Sequence, residues 1–209
     1  MGRTSRARRG RSILIRRSTR ALGVVVAAAL AASCAHRQGP PLEPSQVIAS
    51  LAGATTVYTL TNLHPDDERM VLYTANFQQP GLIPVCTEIT FLRRGDDWVT
   101  FRVSSTGKEY EYDSHAASAE PFVQNLERYF GKACPTAKLE ALTPRERDMV
   151  RMGVVVAGMS KEAVVLSIGY PPLRDTPTLE RPVWKYWSSR LRYFLVEFDD
   201  SGKVEKVTY

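Results

Sequence analysis

Ser105 and Lys108, in "SSTGK", have the Ser-x-x-Lys spacing of an acylating pair, in which the amine takes the hydroxyl proton and the oxygen attacks a carbonyl. That chemistry needs the serine at a helix start and further motifs around it. Here the tetrapeptide lies between two alternating runs with Gly107 as a turn residue, so a hairpin tip is expected. "HPDDE" (64–68) gathers one His and three carboxylates, a set that suits a hard or borderline cation. Pro and Asp are also turn formers, and a solvated turn is the expected role. Arg94-Gly95-Asp96 is read in the same way, as hairpin geometry.

The chain has three cysteines. Cys86 and Cys134 lie 48 residues apart, with neither a CxxC partner nor a His at metal-like spacing, so zinc is not expected. A disulfide is expected, with two buried free thiols as the alternative. In the chain-entropy account, closing that loop contributes up to ~4 kcal/mol.

"GMSKEAVVLSIGYPP" (158–172) raises the question of a phosphate loop. Such a loop needs several glycines before a Lys-Ser/Thr pair. One glycine precedes Met159, and Lys161 falls inside the apolar run. The pattern predicts a capped helix instead: Ser160 at the N-cap, Glu162 in the first turn, Gly169 as the stop and Pro171–Pro172 against resumption. The aromatic group Tyr170, Trp184, Tyr186, Trp187, Tyr193 and Phe194 is the least bland feature. Trp184 and Phe194 are read as core. Tyr170, Tyr186, Trp187 and Tyr193 are the candidate partner-binding residues, because Tyr and Trp are favoured interface anchors. No catalytic residue, metal ligand or cofactor site is expected.

The elements that position these residues are legible in the periodicity. Thr55–Thr61, Met70–Thr74, 84–93, Val99–Val103 and 109–112 alternate apolar with polar residues, and turn-rich stretches separate them. This predicts five short antiparallel strands in a curled sheet or partial barrel. In the first long run, Val85, Ile89 and Phe91 share a face. Phe122, Val123, Leu126, Tyr129 and Phe130 form one helical stripe, with Ser118 as N-cap and Gly131 as the stop. Further on, Thr143, Pro144 and Glu146 make a capping box, and Gly153 ends that helix. Three strands close the chain, 182–188, 191–198 and 203–209. The expected fold is therefore α+β. Residues 46–135 make a small antiparallel β domain with a C-terminal helix, and 143–209 a second domain.

Charge separates the leader from the body. The formal net charge is +6, yet residues 1–33 hold eight arginines and no acid. The rest carries 20 basic against 22 acidic residues, a net of −2, so no nucleic-acid footprint is expected. The arginines precede "ALGVVVAAALAAS" (21–33), too short to span a bilayer and built like a secretory signal. "LAASCAH" resembles the lipobox of bacterial lipoproteins, with Ala31 where Leu is usual. A lipid anchor at Cys34 is expected, followed by a proline-rich tether through residue 45. Cleavage by a general signal peptidase is the other reading.

Residues 143–209 also resemble the SmpA/OmlA (BamE-like) family of outer-membrane lipoproteins. The likeness is carried by "GMSKEAVVLSIGYPP", "VWKYW" and "VEFDDSGKV". It implies an ααβββ domain in a protein anchored on the periplasmic side of the envelope. Ala35 after the anchored Cys would then permit sorting to the outer membrane. The function implied is a non-catalytic protein-interaction or assembly module with an envelope protein as partner. The departure from the family is the ninety or so residues between tether and domain. A different class of function is a binder of a small apolar or lipidic ligand, held between sheet and helix in 46–135; that reading needs an apolar cavity there.

Overall fold

The computed structural model describes residues 40–209. The leader, Cys34 and the first part of the tether lie outside them. Helix α1 (Pro44–Val47) and a 3-10 turn lead into β1 (Val57–Thr59) and β2 (Val71–Tyr73). The meander β3 (Glu88–Arg94), β4 (Trp98–Val103) and β5 (Glu109–Asp113) follows. Next come α2 (Phe122–Tyr129), β6 (Phe130–Gly131), α3 (Thr136–Glu140), α4 (Pro144–Met152) and α5 (Lys161–Ile168). The chain closes with β7 (Val183–Trp187), β8 (Tyr193–Phe198) and β9 (Val204–Thr208).

The fold is α+β. The first six strands form a curled half-barrel in the order β2-β5-β4-β3-β1-β6, and the last three a separate sheet, β7-β8-β9. The alternation of β3, β4 and β5 has the expected consequence: Ile89, Phe91, Val99, Phe101, Val103, Tyr110 and Tyr112 are buried. Fixed by the hairpins, Phe91 lies opposite Phe101 and Phe101 opposite Tyr110.

Four details depart from the sequence expectation. The sheet is not wholly antiparallel, because β2 pairs parallel to β5. The intervening chain is long enough for β2 to return along the outer edge. Phe130 does not continue the helix; its backbone becomes extended and pairs with β1 as a sixth strand. Val123 is exposed, so the buried face of α2 runs through Asn125, Leu126 and Tyr129, with Phe122 partly buried beside it. Pro121, not Ser118, is the N-cap.

The described residues form one compact unit with two hydrophobic clusters. The first fills the half-barrel against α2, the second lies between α4–α5 and the terminal sheet, and Tyr170 packs against both. In the first, Phe91, Phe101, Tyr112, Tyr129 and Phe130 are fully buried. The Phe130 ring contacts Phe91, Phe101 and Tyr112 at centroid distances of 5.5, 5.4 and 5.9 Å. Rings thus occupy the space between sheet and helix where an apolar ligand would need a cavity. Val85, expected on the first sheet, instead packs against the second cluster. Cys86 and Cys134 are joined as a disulfide, Cα atoms 4.7 Å apart, tying the start of β3 to the segment after β6.

Candidate functional site

The question of 158–172 is answered by where its backbone groups go. Ser160 caps α5, its hydroxyl accepting from the Ala163 amide at 3.3 Å. Everything from Ala163 to Ile168 is buried, so this helix is an interior strut. A helix C-terminus leaves four carbonyls without helical partners. Here Val165 O takes the Gly169 amide at 2.8 Å and Leu166 O the Asn62 amide at 2.9 Å. Ser167 O takes Asn62 Nδ2 and His64 Nε2, both at 3.0 Å. Ile168 O takes Asn76 Nδ2 at 2.8 Å and Gln78 Nε2 at 2.9 Å. All four carbonyls are satisfied, three of them by residues 62–78 of the first half. Gly169 sits at φ 74°, ψ −169°, a conformation open essentially to glycine alone. A Cβ there would also lie 2.9 Å from Asn76 Nδ2 and 3.0 Å from the Tyr129 ring.

His64 is therefore buried against the end of α5 and is not in a solvated turn. Burial disfavours its charged form and lowers its pKa, although carbonyl hydrogen bonds work in the other direction. Since a carbonyl only accepts, Nε2 carries the proton toward Ser167. Of its neighbours, Asp66 pairs with Arg69 at 2.7 Å and Asp67 accepts from the Tyr110 hydroxyl at 2.7 Å. Ser105 and Lys108 lie in the exposed β4–β5 turn, where the amine reaches Asp67 at 3.4 Å. Among the described residues no group of three or more His, Cys, Asp or Glu could hold a metal ion. No described helix is long and apolar enough to cross a membrane.

At the other end of α5, Glu146 ties three elements. The capping box forms as expected: Thr143 N and Oγ1 donate to Glu146 Oε2 at 3.0 and 2.9 Å, and Glu146 N donates back to Thr143 Oγ1. The second carboxylate oxygen accepts from Ser160 N at 2.7 Å and faces Lys203 Nζ at 3.3 Å. Burial alone would raise this carboxyl; the Ser160 and Thr143 donors outweigh it and hold the pKa at about 2.

The terminal sheet alternates as the sequence predicts. Its inner face carries Trp184, Tyr186, Phe194, Val196 and Phe198. Tyr186 is fully buried, its hydroxyl bonded to Gly169 O at 3.0 Å, so it is not a surface residue for a partner. Tyr170 sits half-buried at the seam of the two clusters, edge-on to Tyr129 and under Arg128.

Trp187 and Tyr193 remain on the outer face, paired across β7–β8 with ring centroids 5.6 Å apart. Lys185 Nζ lies 4.2 Å from one ring centroid and 4.4 Å from the other. Asp175 accepts from the Trp187 indole N–H at 2.9 Å and faces Lys185 at 3.3 Å. Tyr193 is 51 % exposed, Val183 40 % and Leu191, at the hairpin tip, 91 %. Beside this cluster two clefts adjoin, sharing Phe77 and Arg190 and measuring about 600 and 470 Å³.

No family model, curated protein or solved structure matches the chain. The site is therefore defined by its own geometry. Sequence reading found Trp187 and Tyr193 through the alternation of β7 and β8. It missed Lys185, which the same alternation puts on the Trp187 face of β7, and Asp175, Phe77 and Arg190, whose proximity comes from loops that no periodicity marks.

Proposed function

We propose that this protein is a non-catalytic interaction or assembly module, anchored by lipid at Cys34 on the periplasmic side of the outer membrane, that docks an envelope protein on the outer face of β7–β8. The anchor and location rest on the lipobox-like "LAASCAH" and on the resemblance of 143–209 to the SmpA/OmlA family, ααβββ arrangement included. The observation that carries the docking reading is the Trp187–Lys185–Tyr193 stack. Its indole is held by Asp175 and both rings are held by one ammonium, so these large side chains lose little freedom when a partner covers them.

Two outcomes test the reading. An inhibitor of lipoprotein signal peptidase is expected to make unprocessed precursor accumulate, and unchanged processing would remove the anchor. Crosslinking in intact cells, read by mass spectrometry, is expected to identify an envelope protein joined to the β7–β8 face. With Trp187→Ala and Tyr193→Ala together that adduct should fall at least tenfold while the thermal midpoint moves by only a few degrees, since both side chains lie outside the two buried clusters. Retention of the adduct in the double variant would reject this face as the docking surface.

A further inference from the structure

The two clefts beside Trp187 have an unbalanced lining. The larger is lined by Phe77, His115, Arg174, Asp175, Lys185, Trp187 and Arg190, among others, and the smaller by Arg190 with Asp66, Arg69 and Tyr73. Both acids are already engaged: Asp66 by Arg69, and Asp175 by Lys185 and the Trp187 indole. Arg174 and Arg190 are exposed and have no ion-pair partner among the described residues. The floor is aromatic. Tyr73, Phe77 and His115 pack edge-to-face at centroid distances of 5.1 to 5.8 Å. The Ala117 amide donates to His115 Nδ1 at 3.2 Å, which leaves Nε2–H as a further donor on that ring. Gln78 N and Gln79 Nε2 bond Trp187 O and Ser188 O at 2.8 and 2.6 Å, so the cleft wall is held to the β7 edge.

We propose that the two clefts are one groove for an extended acidic segment of a partner polypeptide, with a carboxylate between Arg174 and Arg190 and an apolar side chain on Phe77 and Trp187. The proposal rests on the docking reading of the β7–β8 face and names the chemistry of what docks. Two features favour a polypeptide over a dense anionic surface. The larger cleft brings Arg174 and Arg190 together with the rings of Phe77 and Trp187, a lining that suits a chain carrying both carboxylate and apolar side chains. Asp66 and Asp175, although paired, stand in the walls and oppose a dense layer of phosphates more than a peptide whose carboxylates are spaced apart.

The test uses the full mature chain and three probes: a blocked hexapeptide alternating aspartate with phenylalanine, its lysine–phenylalanine counterpart, and vesicles of phosphatidylcholine with and without phosphatidylglycerol. The acidic peptide is expected to bind at least tenfold more tightly than the basic one, as read by Trp fluorescence and calorimetry. That preference should vanish in Arg174→Glu/Arg190→Glu, whose circular dichroism should match the parent because both side chains are exposed. Equal affinity for the two peptides overturns the proposal, as does vesicle binding that is lost in the arginine variant while peptide binding is absent. If the acidic peptide fails but the Trp187/Tyr193 variant still loses its crosslinked partner, this groove proposal falls and the docking reading stands.

Discussion

Asn62→Leu is expected to lower the unfolding free energy by about 4 kcal/mol. Asn62 is 1 % exposed, and its amide makes three bonds: Nδ2 to Val150 O at 2.6 Å, Nδ2 to Ser167 O at 3.0 Å, and Oδ1 from Val85 N at 2.7 Å. Each net hydrogen bond is worth about 1 kcal/mol, and a buried donor left without an acceptor costs about 1–3 kcal/mol more. Val85 N is that donor. Val150 O and Ser167 O suffer less, because Gly153 N and His64 Nε2 also reach them. A companion variant separates packing from polarity. Asn62→Asp keeps the acceptor for Val85 but turns an anion toward two carbonyls, so it should be at least as damaging at neutral pH and partly recover as the carboxyl protonates. Denaturant midpoints measured with an unchanged slope would check both. A loss below about 1 kcal/mol in the leucine variant would mean that α5 is not held by residues 62–78.

That position shows what the sequence could and could not yield. Alternation exposed the buried faces of β3, β4, β5, β7 and β8, since a period of two needs only local residue types. Caps were legible for the same reason: Thr143, Glu146 and Ser160 act within one turn of where they stand. Asn62, His64, Asn76 and Gln78 carry no such signal. They lie in turn-like stretches, "TNLHPDD" and "TANFQQ", whose composition suggests solvent. The carbonyls that take Asn62 Nδ2 are 88 and 105 residues away, and the Asn76–Ile168 bond spans 92. A turn that satisfies a helix end in place of water reads like any other turn. The strand at Phe130 was hidden differently: its apolar side chain fits a helical stripe, and only pairing with β1 decides its backbone. The docking face was half legible. Trp187 and Tyr193 follow from alternation, whereas Asp175 and Arg190 reach them from loops.

Acid titration of Glu146→Gln against the parent is expected to give stability curves about 3 kcal/mol apart at neutral pH that converge near pH 2. The Glu146 carboxylate, 5 % exposed, keeps its charge in the folded chain down to about pH 2, whereas the unfolded chain takes up a proton near the ordinary 4.5. Its contribution is therefore fully present above 4.5 and is lost as pH falls from 4.5 to 2. A shift of that size corresponds to about 3 kcal/mol. Glutamine retains one acceptor and the shape, but it places an amide donor against Ser160 N or the Thr143 donors and gives Lys203 no charge to face. His64 acts in a higher window. Burial lowers its pKa, so its neutral form favours folding above the usual imidazole value and protonation opposes folding below it. The two windows are separable, because the Glu146 variant should retain the His64 limb and lose only the acid one. Parallel curves for parent and variant down to pH 2 would show that the cap, and not the charge at its centre, holds α4, α5 and β9 together.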